Sequence, residues 1–228
     1  LEENNEIRRG DTRKIGINCG HTVSRQPGCG AVGIIDESVE TRTVGKALIA
    51  KLKAMGHTVV DCTNDYASST NENLSKICKM ANAQKLDMFV SIHFNAGKGK
   101  GTEVYTYGGT KHTEALSICE KMSKLGFINR GVKDGSKLYV IHNTNAKAML
   151  IEVCFVDTQS DVDLYKKNVS SIVSVIAEGI TGEKVNKENE VTDMFKDVQE
   201  TDYAYEHIKK LKEYGIVNGY SDGTFHPD

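Results

Sequence analysis

No apolar stretch in this chain of 228 residues approaches the roughly 20 needed to cross a bilayer, so no membrane span is expected. Residues 1–14 lack the apolar core of a secretory signal, which leaves the chain as read at its site of synthesis until something else exports or releases it. Excess charge of one sign is missing too. The 29 Lys and Arg residues nearly balance 31 Asp and Glu, and they are spread along the chain rather than massed, so nucleic acid is not an expected partner. The six cysteines, at 19, 29, 62, 78, 119 and 154, include no Cys-x-x-Cys pair. A chain long enough to bury a full core needs no disulfides, and they read as reduced, mostly buried thiols.

What is present is an alternation of strand-like and helix-like segments. Residues 1–13 are polar, without an apolar period, and read as a loose arm. Strands are expected at 14–19, 57–62, 87–94, 102–107, 138–141 and 148–153, and helices at 36–55, 70–83, 111–125 and 168–180. In the first helix Val44, Leu48, Leu52 and Met55 share one face, and Gly56 stops it. This rhythm predicts an α/β domain over 14–182, a mostly parallel twisted sheet covered by helices on both faces, with its ligand site at the carboxyl ends of the strands. Residues 183–194 are polar and charged and read as a linker. Residues 195–228 differ in composition, with one amphipathic helix turning Ala204, Ile208 and Leu211 inward and an Asp222-Gly223 turn. So short a segment cannot bury a stable core alone.

Two histidines fall where the expected strands end, His21 after the first and His93 at the close of the third, and Glu37 opens the first helix. Hydrolytic zinc sites hold the ion with three such ligands and leave one position for water. Their spacing matches no short local zinc signature, so one catalytic histidine or none is the competing reading. Glu40 shares a helix face with Glu37 and could also reach a metal, but position favours Glu37, in the first turn and closest to the strand ends. Glu152 stands alone within the apolar run 148–156, where a carboxylate is costly unless paired, neutralised or used in chemistry. It is the expected general acid/base. Two further arrangements are conceivable: a Cys19 or Cys154 nucleophile with His93 as base, and a glycosidase pair of Glu37 and Glu152 that leaves both histidines unexplained.

The runs Ile17-Asn18-Cys19-Gly20-His21, Gly30-Ala31-Val32-Gly33 leading to Glu37, Ser91-Ile92-His93-Phe94-Asn95-Ala96 and Leu150-Ile151-Glu152-Val153-Cys154-Phe155 resemble, in order, the motifs of the zinc-dependent N-acetylmuramoyl-L-alanine amidases. The resemblance covers about 14–182 and looks closer to endolysins and sporulation or autolytic amidases than to autoinhibited division enzymes. It implies a zinc ion held by His21, Glu37 and His93, catalytic assistance by Glu152, a pocket shaped by Asn95 toward substrate, and peptidoglycan as the substrate, hence action at the bacterial cell wall.

The run Phe195-Lys196-Asp197-Val198, with Tyr203-Ala204-Tyr205 and Gly215 to Phe225, resembles the first half of an S-layer homology repeat, a module that attaches proteins to secondary cell-wall polymers. Tyr203 stands where that repeat usually has tryptophan, and the run ends at Asp228 before a second helix, so no polymer binding is expected of this short helical half-repeat without further repeats. Two other readings remain beside the amidase. One is a zinc exopeptidase on the same sheet, with Arg130 or Lys137 holding a free carboxylate. The other is a non-catalytic wall-anchoring protein with a structural metal.

Overall fold

A computed structural model of the chain describes residues 12–185, 195–199, 201–213, 217, 219, 220 and 222–226. The expected arm, up to residue 11, and the expected linker over 186–194 lie outside the described residues. Six strands, β1 (Lys14–Cys19), β2 (Thr58–Asp61), β3 (Met88–Asn95), β4 (Thr102–Thr106), β5 (Asn129–Asp134) and β6 (Lys147–Phe155), form one sheet in the order β2-β1-β3-β6-β4-β5. β1, β2, β3 and β6 run parallel, whereas β4 is antiparallel to β6 and carries β5 parallel to itself.

The helices α1 (Glu37–Ala54), α2 (Thr70–Asn82), α3 (Thr113–Lys124), α4 (Tyr139–Asn143) and α5 (Gln159–Thr181) divide between the two faces. In β3, Met88, Val90, Ile92 and Phe94 enter the larger core with α1, α3 and α5, while Phe89 enters a smaller one with α2 and α4. Burial on both faces is why that strand reads as almost continuously apolar. On α1 the residues Val44, Leu48 and Leu52 are fully buried, the Asp36 carboxylate caps the helix by accepting from the Ser38 N–H at 2.9 Å, and Gly56 takes a φ of 91° just beyond its end. No described helix is long and apolar enough to cross a membrane.

Three elements depart from the sequence expectation. The run at 138–141 is not a strand but leads into the short helix α4, whose Val140 and Ile141 pack in the smaller core. A short apolar run carries no period of its own, and packing decides it. β5 was not expected, because as a sheet edge it buries little and shows no apolar alternation. α5 begins at Gln159 rather than at 168. Asn168 leaves helical geometry inside it (φ −124°, ψ 16°), and its side chain donates to the Leu164 carbonyl at 2.8 Å, a break that reads in sequence as a helix start.

In the tail, α6 (Tyr205–Glu213) brings Ile208 onto Phe195 and Val198 in a third, separate cluster, with Ala204 packed beside them and Leu211 partly buried. Phe195 and Phe225 stack at 5.0 Å between centroids. The Asp197 carboxylate accepts from the Phe225 and His226 N–H groups at 2.8 Å each, tying the two ends of the segment together.

Candidate metal centre

β1 ends in a turn that backbone geometry alone would not choose. His21 takes a φ of 67°, which a residue with a Cβ adopts only when its surroundings hold it there. Arg42 of α1 supplies part of that hold: its Nη1 donates to the Gly20 carbonyl at 3.2 Å and its Nη2 to the His21 carbonyl at 3.0 Å, while Asp65 accepts from Nε and Nη2 at 3.0 and 2.8 Å. The His21 ring is fixed separately, with Nδ1 2.9 Å from the Gly28 carbonyl oxygen. A carbonyl can only accept, so Nδ1 carries a hydrogen, and Nε2 is the ring nitrogen that faces the site.

Glu37, the first residue of α1, is 4% exposed, and its Oε2 accepts from the Ala31 N–H at 2.9 Å. Its Oε1 meets His21 Nε2 at 3.0 Å and His93 Nδ1 at 3.1 Å and also accepts from the Phe94 N–H at 3.1 Å. Burial pushes the Glu37 carboxyl upward, but the two imidazoles outweigh it and hold the group far below the usual carboxylate range. Burial drives His93 downward, helped by the charge of His21. His21, the more exposed of the two rings, is instead raised, because the Glu37 hydrogen bond overcomes its burial.

One ligand atom from each of His21, Glu37 and His93 can be chosen so that all lie within 4.8 Å of one another, a grouping suited to a metal ion. Two imidazole nitrogens and a carboxylate oxygen are the donor set of catalytic zinc sites, so the residues present fit that ion. Gly20 and Gly30 are part of the construction. A Cβ on Gly20 would collide with the His93 ring, reaching Cε1 at 2.5 Å besides Nε2, and one on Gly30 would lie 2.6 Å from Glu37 Oε2 and 2.7 Å from His21 Cδ2.

Glu152 lies directly opposite His93 in the pairing of β6 with β3. Its Oε2 is enclosed without a hydrogen-bond partner among the described residues. Burial, reinforced by the carboxylates of Glu37 and Glu103, raises the Glu152 carboxyl to about 8. A carboxyl so placed can both take and return a proton near neutral pH.

The remaining sequence candidates separate from this group. Glu40 accepts from the Tyr165 hydroxyl at 2.6 Å and is not in the ligand grouping. Cys19 packs its Sγ against Gly45 of α1 and is raised to about 11 by burial, the opposite of an activated thiolate. Cys154 does not share the face of Glu152. A β-bulge puts one extra residue into β6 after the His93–Glu152 pair, so that Asn95 pairs with Phe155 and Cys154 joins the larger core. Both ends of the Asn95 amide are engaged within the protein: Oδ1 accepts from the Ala96 N–H at 2.9 Å and Nδ2 donates to Glu103 Oε1 at 2.7 Å.

Glu103 itself escaped the sequence reading. It is 2% exposed, pairs directly with Glu152 across β4 and β6, and is anchored by Arg130. Its strand, Thr102-Glu103-Val104-Tyr105-Thr106, mixes polar and apolar residues, so this carboxylate does not stand out as Glu152 does in its apolar run. Arg42 does not stand out either, since a cation on an amphipathic helix reads as a solvated face.

Residues 15–182 match the family described as N-acetylmuramoyl-L-alanine amidase, and residues 195–228 match the S-layer homology domain. An uncharacterized protein of Clostridium perfringens is 38% identical over 183 residues, which cover 76% of this chain and 53% of that protein. The endolysin of Bacillus phage SPP1 is 30% identical over 178 residues, 74% of this chain and 63% of the endolysin. The chain thus spans about half the length of the Clostridium perfringens relative. Among solved structures, the catalytic domain of the CD27L endolysin targeting Clostridia difficile superposes with a TM-score of 0.70 at 29% identity, covering 76% of this chain and 99% of that one. The catalytic domain of the amidase CwlV from Bacillus (Paenibacillus) polymyxa gives a TM-score of 0.63 at 25% identity, over 75% and 97%. By its sequence over 15–182 and its fold, the chain belongs to the N-acetylmuramoyl-L-alanine amidase family.

Proposed function

We propose that residues 14–182 form a zinc hydrolase that cleaves the amide between the lactyl group of N-acetylmuramic acid and L-alanine in bacterial peptidoglycan. The observation that carries this reading is the convergence of His21, Glu37 and His93 beside an enclosed, unpartnered carboxylate oxygen of Glu152. In this reading His21, Glu37 and His93 would hold the ion, each through one ligand atom. Zinc, when bound, supplies a Lewis acid for the scissile carbonyl and acidifies water.

The protein's own contribution is a proton carrier and a fixed frame. The Glu152 carboxylate takes a proton from the attacking water as the new carbon–oxygen bond forms, and delivers it to the alanine nitrogen as the carbon–nitrogen bond breaks. Gly28 and Arg42 hold His21 in place, and the Ala31 and Phe94 N–H groups hold Glu37, so the frame does not reorganise during the step. Asn95 acts through Glu103, shaping the wall of the pocket next to Glu152.

The likeness of 195–228 to the S-layer homology domain supports action at the cell wall, with 183–194 as the connection and a secondary cell-wall polymer as the partner of an array of such repeats. Digestion of purified soluble muropeptides, read by mass spectrometry, tests the function. Release of intact peptides beginning with a free L-alanine amine is expected. Products cut between two amino acids would replace this reading with the exopeptidase, and no cleavage at all would leave a wall-anchoring protein.

A further inference from the structure

The line of functional side chains does not stop at Glu152. β3, β6, β4 and β5 are successive neighbours in the sheet, and the pairing sets His93 opposite Glu152 and Glu152 opposite Glu103. Beyond them, on the edge strand β5, Arg130 donates from Nε to Glu103 Oε2 at 2.8 Å. The other oxygen of Glu103 is filled by Asn95 Nδ2 at 2.7 Å and the Tyr105 hydroxyl at 3.1 Å. The Arg130 guanidinium also lies over the Phe155 ring, 5.1 Å from its centroid.

A buried, three-times hydrogen-bonded carboxylate and an aromatic face therefore fix the direction of one guanidinium. Its side chain is still 36% exposed, against 3% for Glu103, and its two terminal nitrogens donate to no other described residue. Neutralising Glu103 occupies a single N–H of a group with five, and the unused ones lie in the planar fork that matches a carboxylate. A part-exposed cation held this way, two strands from the proposed proton carrier, is built to meet an anion.

Resting on the amidase reading, we propose that Arg130 is a specificity-determining residue that binds a carboxylate on the peptide side of the substrate, carried by the second residue from the scissile amide. The spacing agrees. β6 and β5 are separated by two strand spacings of about 4.8 Å each, a gap that the arginine side chain itself shortens. Two extended residues carry a chain about 7 Å. Glu103 is then a positioning residue, and Phe155 the platform on which the guanidinium rests.

The test uses the zinc-loaded full chain and two substrates differing in one group, N-acetylmuramoyl-L-alanyl-glycine as the free acid and as its C-terminal carboxamide. The wild type is expected to prefer the acid in kcat/KM by roughly ten- to a hundredfold, the value of a charge-assisted pair. Arg130→Gln should bring that ratio near one, mainly through KM for the acid, and Arg130→Lys should give an intermediate ratio, because it keeps the charge and loses the anchored fork. Equal rates on both substrates by the wild type, or an unchanged ratio in Arg130→Gln, would overturn the assignment. If Arg130→Gln does not fold, the same ratio in Arg130→Lys decides: a value equal to the wild type's rejects the fork. Failure of the wild type to cut either substrate at the lactyl–alanine amide is a different result, since it overturns the amidase reading and this inference with it.

Discussion

Glu152 sits directly across the β3–β6 pairing from His93, yet its Oε2 makes no hydrogen bond with any described residue. One ligand of the grouping, His93, and the unpaired carboxylate oxygen thus belong to directly paired strand positions, and each makes the other intelligible. A structural carboxylate at that depth would need a cation beside it. Glu103, the next carboxylate along the row, has one in Arg130.

Glu152→Gln should keep the fold and the metal while lowering turnover on muropeptides by about 10²- to 10⁴-fold, the usual share of a general acid/base. His93→Ala should lose metal and activity together. Metal content and kcat measured on both variants check the division of roles, and a Glu152→Gln protein that loses its metal would reverse it.

Dialysis against a chelator should remove about one zinc per chain and abolish lysis, with recovery on adding the ion back. Undiminished activity in metal-free protein, verified by elemental analysis, would reject the zinc mechanism.

Metal-free protein should become less stable as pH rises from about 4.5 to about 8, the ordinary and the raised positions of the Glu152 carboxyl. The sign follows from linkage. A carboxyl raised on folding contributes its full stability below the unfolded value and loses it as pH climbs through the folded one. His21 is raised and His93 lowered as well, so the comparison is with Glu152→Gln. Unfolding free energies from urea titrations in chelator should fall by a few kcal/mol more for the wild type than for the variant, at about 1.4 kcal/mol per pKa unit.

Gly20→Ala should weaken zinc affinity by roughly tenfold or more, as loss of a supporting contact does, because its Cβ would push the His93 ring out of line with Glu37. The overall fold should survive at a cost of about 1 to 3 kcal/mol. Chelator competition beside thermal unfolding separates the two effects, and unchanged metal affinity would show that the ring can move freely.

Removing residues 186–228 should leave hydrolysis of soluble muropeptides nearly unchanged and the melting temperature of the α/β domain within a few degrees. The tail's buried residues, Phe195, Val198 and Ile208, form their own cluster, and none of the proposed catalytic groups comes from it. A collapse of catalysis or of the melting transition on deletion would mean that the two parts act as one unit.

Much of the fold was legible because two kinds of periodicity carry it. β3 buries both faces and reads as a continuous apolar run, and α1 buries Val44, Leu48 and Leu52 on one stripe. The elements that failed to show are those in which packing overrides local pattern: α4, too short to have a period; β5, an edge with little to bury; and Asn168, whose local hydrogen bond breaks α5 from within.

At the site, residue types alone could nominate His21, Glu37, His93 and Glu152, because imidazoles at strand ends and a charge in an apolar strand are anomalies along one dimension. Their convergence could not be read that way. Position in the first turn already favoured Glu37 over Glu40, and the turn of α1 shows the reason, sending one carboxylate to the histidines and the other to Tyr165. Excluding Cys154 took a single extra residue in β6. The row from His93 through Glu152 and Glu103 to Arg130 exists only once four strands distant in sequence lie side by side. Registry between strands is decided by the burial of whole sheet faces, not by the identity of any residue within them.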